Sequence, residues 1–422
     1  MHCDQTWGAP RGRYERTIAT RNSSGSLHGT NSFKALDSVH RVRAGGLSLI
    51  IAQTPDGKKQ DIFVADYHFH IWNAAKDNWL RPDLAKGWIN CFYDYTKALS
   101  PPEYVWDWET YAYYGEEKAL HDVFLDGGVD MAIFEPQTLM YFYHKGFSNV
   151  DAIGGYVTKW PDRLVMGSRW DPRDGEKGKA LLEEQVKKFR IRPFQMRNVK
   201  LYTAEWKEEN GGMSRGWRLD SKEAFDFLEK NRELGINVQV AHKGPTVWPL
   251  DKDAFDIGDV DTAATSFPDM KFVVTHIGLP RLDDFCWVAT QDKNIYAGMA
   301  VAMAFVHNRP RYFAEMMANL LYWLGPDRIL FSADYALWHP KWIIQDFLNF
   351  EMPEDLKKEY GVDLTMEVKK KILGENTAKV WGIDIEQQKK KLKNDELSKK
   401  LHIQPRTIKI GEAAKKGKPL AR

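Results

Sequence analysis

The chain has 422 residues, 43% hydrophobic and 13% aromatic, enough to bury a large core in one α/β barrel or in two to three ordinary domains. A formal net charge of +2 argues against a global nucleic-acid field, and three scattered cysteines, Cys3, Cys91 and Cys286, argue against a disulfide framework and for a reducing, cytoplasmic setting. No apolar run reaches the roughly 18 residues of a membrane span, and no charged-then-apolar amino terminus marks secretion.

Residues 1–45 are rich in Arg, Ser and Gly, without sustained periodicity, and read as a poorly ordered extension. Leu47–Ile51 and Asp61–Ala65 flank Pro55-Asp-Gly-Lys58, which predicts a hairpin ahead of the main fold. Eight short apolar runs follow: Ile62–Tyr67, Met131–Phe134, Leu164–Gly167, Val199–Tyr202, Val238–Ala241, Phe272–Thr275, Ile295–Met299 and Ile329–Ser332. Helical stretches such as Lys179–Phe189, Ser221–Leu234 and Pro310–Leu324 lie between them. Continuous β-rich runs alternating with helices predict a (β/α)8 TIM-type barrel, whose strands are buried on both faces.

The segment Asn73–Gly115 after the first run carries Trp79, Trp88, Phe92, Tyr93, Tyr95, Tyr104, Trp106, Trp108, Tyr111, Tyr113 and Tyr114. These aromatics form a small core against the barrel. Leaving the carboxyl end of strand 1, the insert also sits over the active face, where it could act as an apolar lid. Residues 385–422 hold 12 Lys and Arg against 4 Asp and Glu, leaving the rest at 48 against 54. They read as a basic helical and extended tail whose charge is solvated, with an acidic partner or nucleic acid as the sharper alternative. The expected organisation is thus an extension over 1–45, a barrel over 46–384 and a tail over 385–422.

In Val64-Ala-Asp-Tyr-His-Phe-His-Ile-Trp72, strand alternation puts His68 and His70 on one side, with Asp66 sharing their parity. Two imidazoles projecting together are half of a metal site. His242, His276 and Asp334 each close another predicted strand. All carboxyl ends of a barrel converge on one mouth, so these residues become neighbours.

This constellation resembles the amidohydrolase superfamily, in its amidohydrolase-2, decarboxylase-like branch. The likeness covers about residues 61–384 and includes Asp66-x-His68-x-His70, Thr275-His276-Ile-Gly278, Phe331-Ser-Ala-Asp334 and the closing segment Ile372-Leu-Gly-Glu-Asn-Thr-Ala-Lys-Val-Trp-Gly382. More narrowly, Ala65–Ala74, Arg169-Trp-Asp-Pro-Arg173, Val199–Trp206, His242–Phe255 and Gly278-Leu-Pro-Arg281 resemble the amidohydrolase-like proteins encoded beside propane and related di-iron monooxygenases. That group implies no secure activity.

The resemblance implies that His68, His70, His242 and Asp334 bind one divalent metal and that His276 is the acid/base histidine. Three imidazoles and one carboxylate suit zinc first, and also iron, manganese or cobalt. Asp334 could take a proton from a metal-bound water, and Asp66 could orient a ligand imidazole. Arg169 is a candidate carboxylate clamp or an ion-pair partner of Asp171; Trp72, Lys243 and Glu135 are further candidate substrate contacts. Lys200 stands near the place where binuclear relatives carry a bridging carboxylated lysine, although a salt bridge or substrate contact is the preferred reading. His339 is read as a rim or packing residue.

The leading functional expectation is a metal-dependent hydrolase acting on a C–N or C–O bond of a small, largely apolar substrate. The alternative is non-oxidative decarboxylation of an aromatic or unsaturated acid, favoured if Arg169 points into the mouth. A further alternative is a non-catalytic accessory protein of a di-iron monooxygenase. A homo-oligomer is expected; neither nucleic acid nor membrane is expected as a partner of the barrel.

Overall fold

The computed structural model describes residues 46–209 and 211–411, so the expected extension over 1–45 and the last part of the tail lie outside the described residues. An antiparallel hairpin of β1 (Ile50–Gln53) and β2 (Lys59–Ile62) comes first. Its strands sit a few residues closer to the turn than expected, because the turn is tight. Thr54 N donates to Lys58 O at 2.9 Å, and Gly57 adopts φ 84°.

The barrel strands are β3 (Ala65–Phe69), β4 (Met131–Phe134), β5 (Leu164–Met166), β6 (Ser168–Arg169) and β7 (Asn198–Leu201). A small hairpin, β8 (Lys207–Glu209) with β9 (Gly212–Ser214), interrupts the series. It resumes with β10 (Val238–His242), β11 (Lys271–Thr275), β12 (Ile295–Gly298) and β13 (Ile329–Leu330). Six strands run in the order β13-β12-β11-β10-β7-β6 and three in the order β3-β4-β5, with every pairing parallel.

The two sheets are arcs of one (β/α)8 ring. β5 and β6 are a single strand interrupted at Gly167, where a Cβ would collide with Asn198 and the Phe134 carbonyl. At the other seam His70 N donates to Tyr335 O at 2.7 Å, beside a parallel bridge between Phe69 and Tyr335. The expected helices appear at Gly175–Phe189, Lys222–Glu233 and Pro310–Leu324. Ser221 caps the second by accepting from Ala224 N at 3.1 Å.

Strand parity divides the core into two clusters. Ala65, Tyr67, Met131, Ile133, Val165, Val238, Val240, Val273 and Leu330 pack together inside the ring, with Trp381 among them. Their alternates, such as Ala132, Phe134, Val199, Leu201, Phe272 and Val274, pack outward under the helices. The Trp381 indole donates to Asn198 Oδ1, at the start of β7, at 3.0 Å and closes the amino-terminal end of the barrel.

The basic tail is bound to the body over its described length. It forms the helices Ile385–Leu392 and Glu396–Leu401, then β14 (Arg406–Lys409), which pairs in parallel with β1. Lys389 is 11% exposed and pairs with Asp61 at 2.5 Å, so its charge is not simply solvated. Arg163, 1% exposed, donates to Asp395 Oδ2 (2.8 Å), Ser398 Oγ (2.7 Å), Leu392 O (3.2 Å) and Asp130 O (3.1 Å). Removing one partner of such a buried pair typically costs about 3–5 kcal/mol. Arg163→Met is therefore expected to lower the denaturation midpoint and to expose the Lys-rich 389–400 stretch to trypsin, as chemical denaturation and limited digestion would show.

Candidate metal centre

The histidines of the first strand reach the mouth because β3 does not alternate strictly. Its pairing with β4 shifts register between Asp66 and Phe69. Tyr67 packs inside the ring and Phe69 outside it, against Tyr335. A bulge of this kind re-aims the residues beyond it, and the His68 and His70 rings stand edge to face at 4.6 Å. Asp66 does not touch either imidazole. Its carboxylate instead accepts from His68 N (3.0 Å) and Ala333 N (2.9 Å), joining the first and last strand ends.

Asp334 sits at the end of the eighth strand with φ 55°, its N–H held by Ser332 Oγ at 2.8 Å. Ser332 Oγ donates in turn to His68 O at 3.0 Å. The Asp334 carboxylate lies 3.7 Å from His68 Nε2, 3.6 Å from His70 Nε2 and 3.8 Å from His276 Nδ1. All five chemistry-bearing side chains named from the sequence thus meet at one floor, each no more than 5% exposed.

Hydrogen-bond partners assign the ring protons. His70 Nδ1 donates to Glu135 O at 2.7 Å, leaving Nε2 a free lone pair. His276 Nδ1 donates to Ala300 O at 3.1 Å, so its Nε2 accepts from His242 Nδ1 at 3.1 Å. His242 Nε2 is then an unprotonated nitrogen, buried without a hydrogen-bond partner. Burial pushes the His68, His70 and His242 pKa values well below the ordinary imidazole value, and His276 to about 3. Neutral, desolvated imidazoles beside a carboxylate fit a divalent cation.

Within this cluster His68, His276 and Asp334 present ligand atoms within 4.8 Å of one another. The trio contains His276, which the resemblance places off the metal.

Lys200, on β7, lies 3.3 Å from His68 Nε2 and is 1% exposed. It is a buried cation within the cluster rather than a barrel-mouth salt bridge. The other candidate contacts lie outside the cavity lining. Arg169 pairs with Glu205 at 3.2 Å, while Asp171 takes Arg173. Lys243 pairs with Asp259 at 2.8 Å. Glu135 accepts from Asn198 Nδ2 at 2.7 Å, and the Trp72 indole donates to Tyr111 O at 2.8 Å. His339 caps the helix Pro340–Asn349, accepting from Lys341 N at 3.2 Å. These residues bear charge or hydrogen-bonding groups, and each found a protein partner that no sequence pattern announces.

Above the floor opens a cavity of about 470 Å³ with mainly apolar walls, among them Phe255, Ile257, Phe305, Leu337 and Trp338. The insert covers it through the helix Pro82–Leu99, which contributes Phe92, Tyr95 and Leu99. The insert's tryptophans do not line it. Trp88 packs behind Phe92 at 4.8 Å, and Trp79, Trp106 and Trp108 lie further out in the aromatic core.

Two contacts clasp this helix to the chain after β10. Tyr95 OH donates to Thr246 O at 2.8 Å, and the Trp248 ring lies so close to Gly87 that any Cβ there would enter it.

The family model described as Amidohydrolase (Amidohydro_2) matches residues 65–383. The barrel with its polar mouth defines the class, and the match places this chain within it: the protein belongs to the amidohydrolase family. None of the curated proteins matches the sequence. Among solved structures it is similar to a TIM-barrel protein from Bordetella bronchiseptica, 14% identical, with TM-score 0.55 over 76% of this chain and 99% of that one. A manganese-bound dihydroxybenzoic acid decarboxylase from Polaromonas sp. JS666 is 14% identical over 76% and 97% of the two chains, with TM-score 0.48. For a 2,6-dihydroxybenzoate decarboxylase from Rhizobium the values are 13%, 76%, 99% and 0.46.

Two outcomes are expected of this geometry. The double variant His68→Ala/His70→Ala should lose about one divalent metal per chain by elemental analysis; unchanged metal would refute the assignment. Tyr95→Phe removes one clasp hydrogen bond, worth about 0.5–1.5 kcal/mol. It should speed amide hydrogen exchange over residues 82–99 while leaving metal content intact.

Proposed function

We propose that the protein is a metal-dependent enzyme that decarboxylates, without oxidation, a small aromatic or unsaturated carboxylic acid. The observation that carries this reading is the cavity's polarity: a mainly apolar chamber whose polar floor gathers imidazoles and Asp334, with the Lys200 cation 3.3 Å behind His68. Such a chamber suits a flat apolar body bearing one anionic head. The motif likeness to the decarboxylase-like branch points the same way.

His68, His70, His242 and Asp334 would hold the cation, for which zinc is the first choice on donor chemistry and manganese, iron or cobalt are compatible. When bound, it supplies Lewis acidity toward a substrate oxygen. The apolar walls and the clasped helix hold the substrate body and exclude water from the floor. The bond between the ring or vinyl carbon and the carboxyl carbon breaks, carbon dioxide leaves, and the electron pair remaining on the substrate carbon takes a proton. His276 would carry that proton, taken from solvent onto Nε2 in exchange for its hydrogen bond from His242 Nδ1 and passed on to the substrate carbon.

A second reading, hydrolysis of an amide or ester, is favoured by one observation. The Arg169 guanidinium is turned to Glu205 and does not line the cavity, so Arg169 is not the clamp expected for a carboxylate.

Metal-loaded protein offered aryl and vinyl carboxylic acids beside their amides and esters should release carbon dioxide from the acids. Hydrolysis of the amides or esters without carbon dioxide release would overturn the decarboxylase reading. Copurification with a di-iron monooxygenase subunit and no turnover in the screen would instead assign an accessory role. His276→Ala should retain metal and lose turnover by about 10²–10⁴-fold; loss of metal would make His276 a ligand.

A further inference from the structure

Gln137 stands three residues beyond β4 and lines the same cavity as His70 and Asp334. Its backbone is pinned on both sides. Gln137 N donates to Ser148 O at 3.0 Å and Gln137 O accepts from Ser148 N at 2.7 Å. Ser148 is itself anchored, its Oγ donating to Ile71 O at 2.8 Å beside the His70 strand end.

The side chain is only 2% exposed, yet its Oε1 is buried with no hydrogen-bond partner. A buried carboxamide without a partner is costly to leave. The adjacent Thr138 behaves otherwise, its Oγ1 donating to Glu205 Oε1 at 3.0 Å, while the unpartnered Glu135 Oε2 belongs to a residue that does not line the cavity. Gln137 Nε2 likewise donates to no protein group among the described residues, so Gln137 holds both a donor and an acceptor without a protein partner at the cavity.

We propose that Gln137 is a substrate-binding and specificity-determining residue whose carboxamide hydrogen-bonds the polar head of the bound molecule. This rests on the reading of the cavity as the substrate site. With a carboxylate head the amide N–H donates to a carboxylate oxygen, a role that the partnered Arg169 does not fill. With a neutral amide head the carboxamide both donates and accepts. A site built to hydrogen-bond a substrate group rejects analogues that lack it far more strongly than an apolar wall rejects an extra methylene.

Titration calorimetry with metal-loaded protein tests this, using benzoate, benzamide and toluene as probes against wild type, Gln137→Leu and Gln137→Met. Melting temperature and metal content establish that each variant is folded and loaded. Benzoate binding should weaken about 10- to 100-fold in both variants, the span of one hydrogen bond to a charged group, while toluene binding holds or improves. Benzoate affinity unchanged in the variants overturns the role of Gln137. If benzamide alone binds wild type and weakens in the variants, Gln137 stands and the carboxylic-acid reading falls. If neither polar probe binds wild type, both are overturned.

Discussion

Desolvation of the imidazole cluster is the constraint on which the structure depends. His68, His70, His242, His276, Asp334 and Lys200 are all buried at one end of a barrel, where an unpaired charge is expensive. The arrangement survives because the imidazoles are neutral and their protons are directed. Ala300 O orients His276, His276 orients His242, and Glu135 O orients His70. What remains after this chain of assignments is the Nε2 lone pairs of His70 and His242, which accept no hydrogen bond among the described residues, a condition that a cation satisfies.

Holding that floor requires the strand ends to be tied to one another across the seam of the ring. Asp66 bridges the backbone of His68 and Ala333, and Ser332 bridges His68 and Asp334. These bonds join residues more than 260 positions apart in sequence. At the opposite end Trp381 closes the barrel against Asn198, which also holds Glu135. The imidazole cluster and the opposite end of the barrel are therefore linked through a short series of buried polar contacts. The described tail adds a further restraint through Arg163 and β14 instead of standing apart as a charged appendage.

Above the polar floor the chemistry reverses. The clasped helix and the walls are apolar, so a molecule entering must present its polar group downward and its hydrocarbon outward. The aromatic insert supplies this cover with Phe92, Tyr95 and Leu99, while Trp88 of the same helix packs behind Phe92. Lid and core are the same packed unit, which reconciles the two roles its composition suggested.

By itself the sequence determined the barrel and the eight strand segments to within a few residues, and it named five side chains, His68, His70, His242, His276 and Asp334, that the fold brings together at one end of that barrel. Those features follow from short-range rules: strand periodicity, and the convergence of all carboxyl ends in a parallel barrel. Only the tertiary structure decided the rest. The register shift in β3 that re-aims His68 and His70, the diversion of Arg169 to Glu205 and Lys243 to Asp259, and the placement of Lys200 against His68 are outcomes of long-range pairing. Gln137 had no signal at all, because a lone glutamine acquires meaning only when its backbone is pinned and its amide is left unpartnered at a cavity. A side chain's partner is set by which groups the fold brings within about 3 Å, and that distance is not encoded in local sequence.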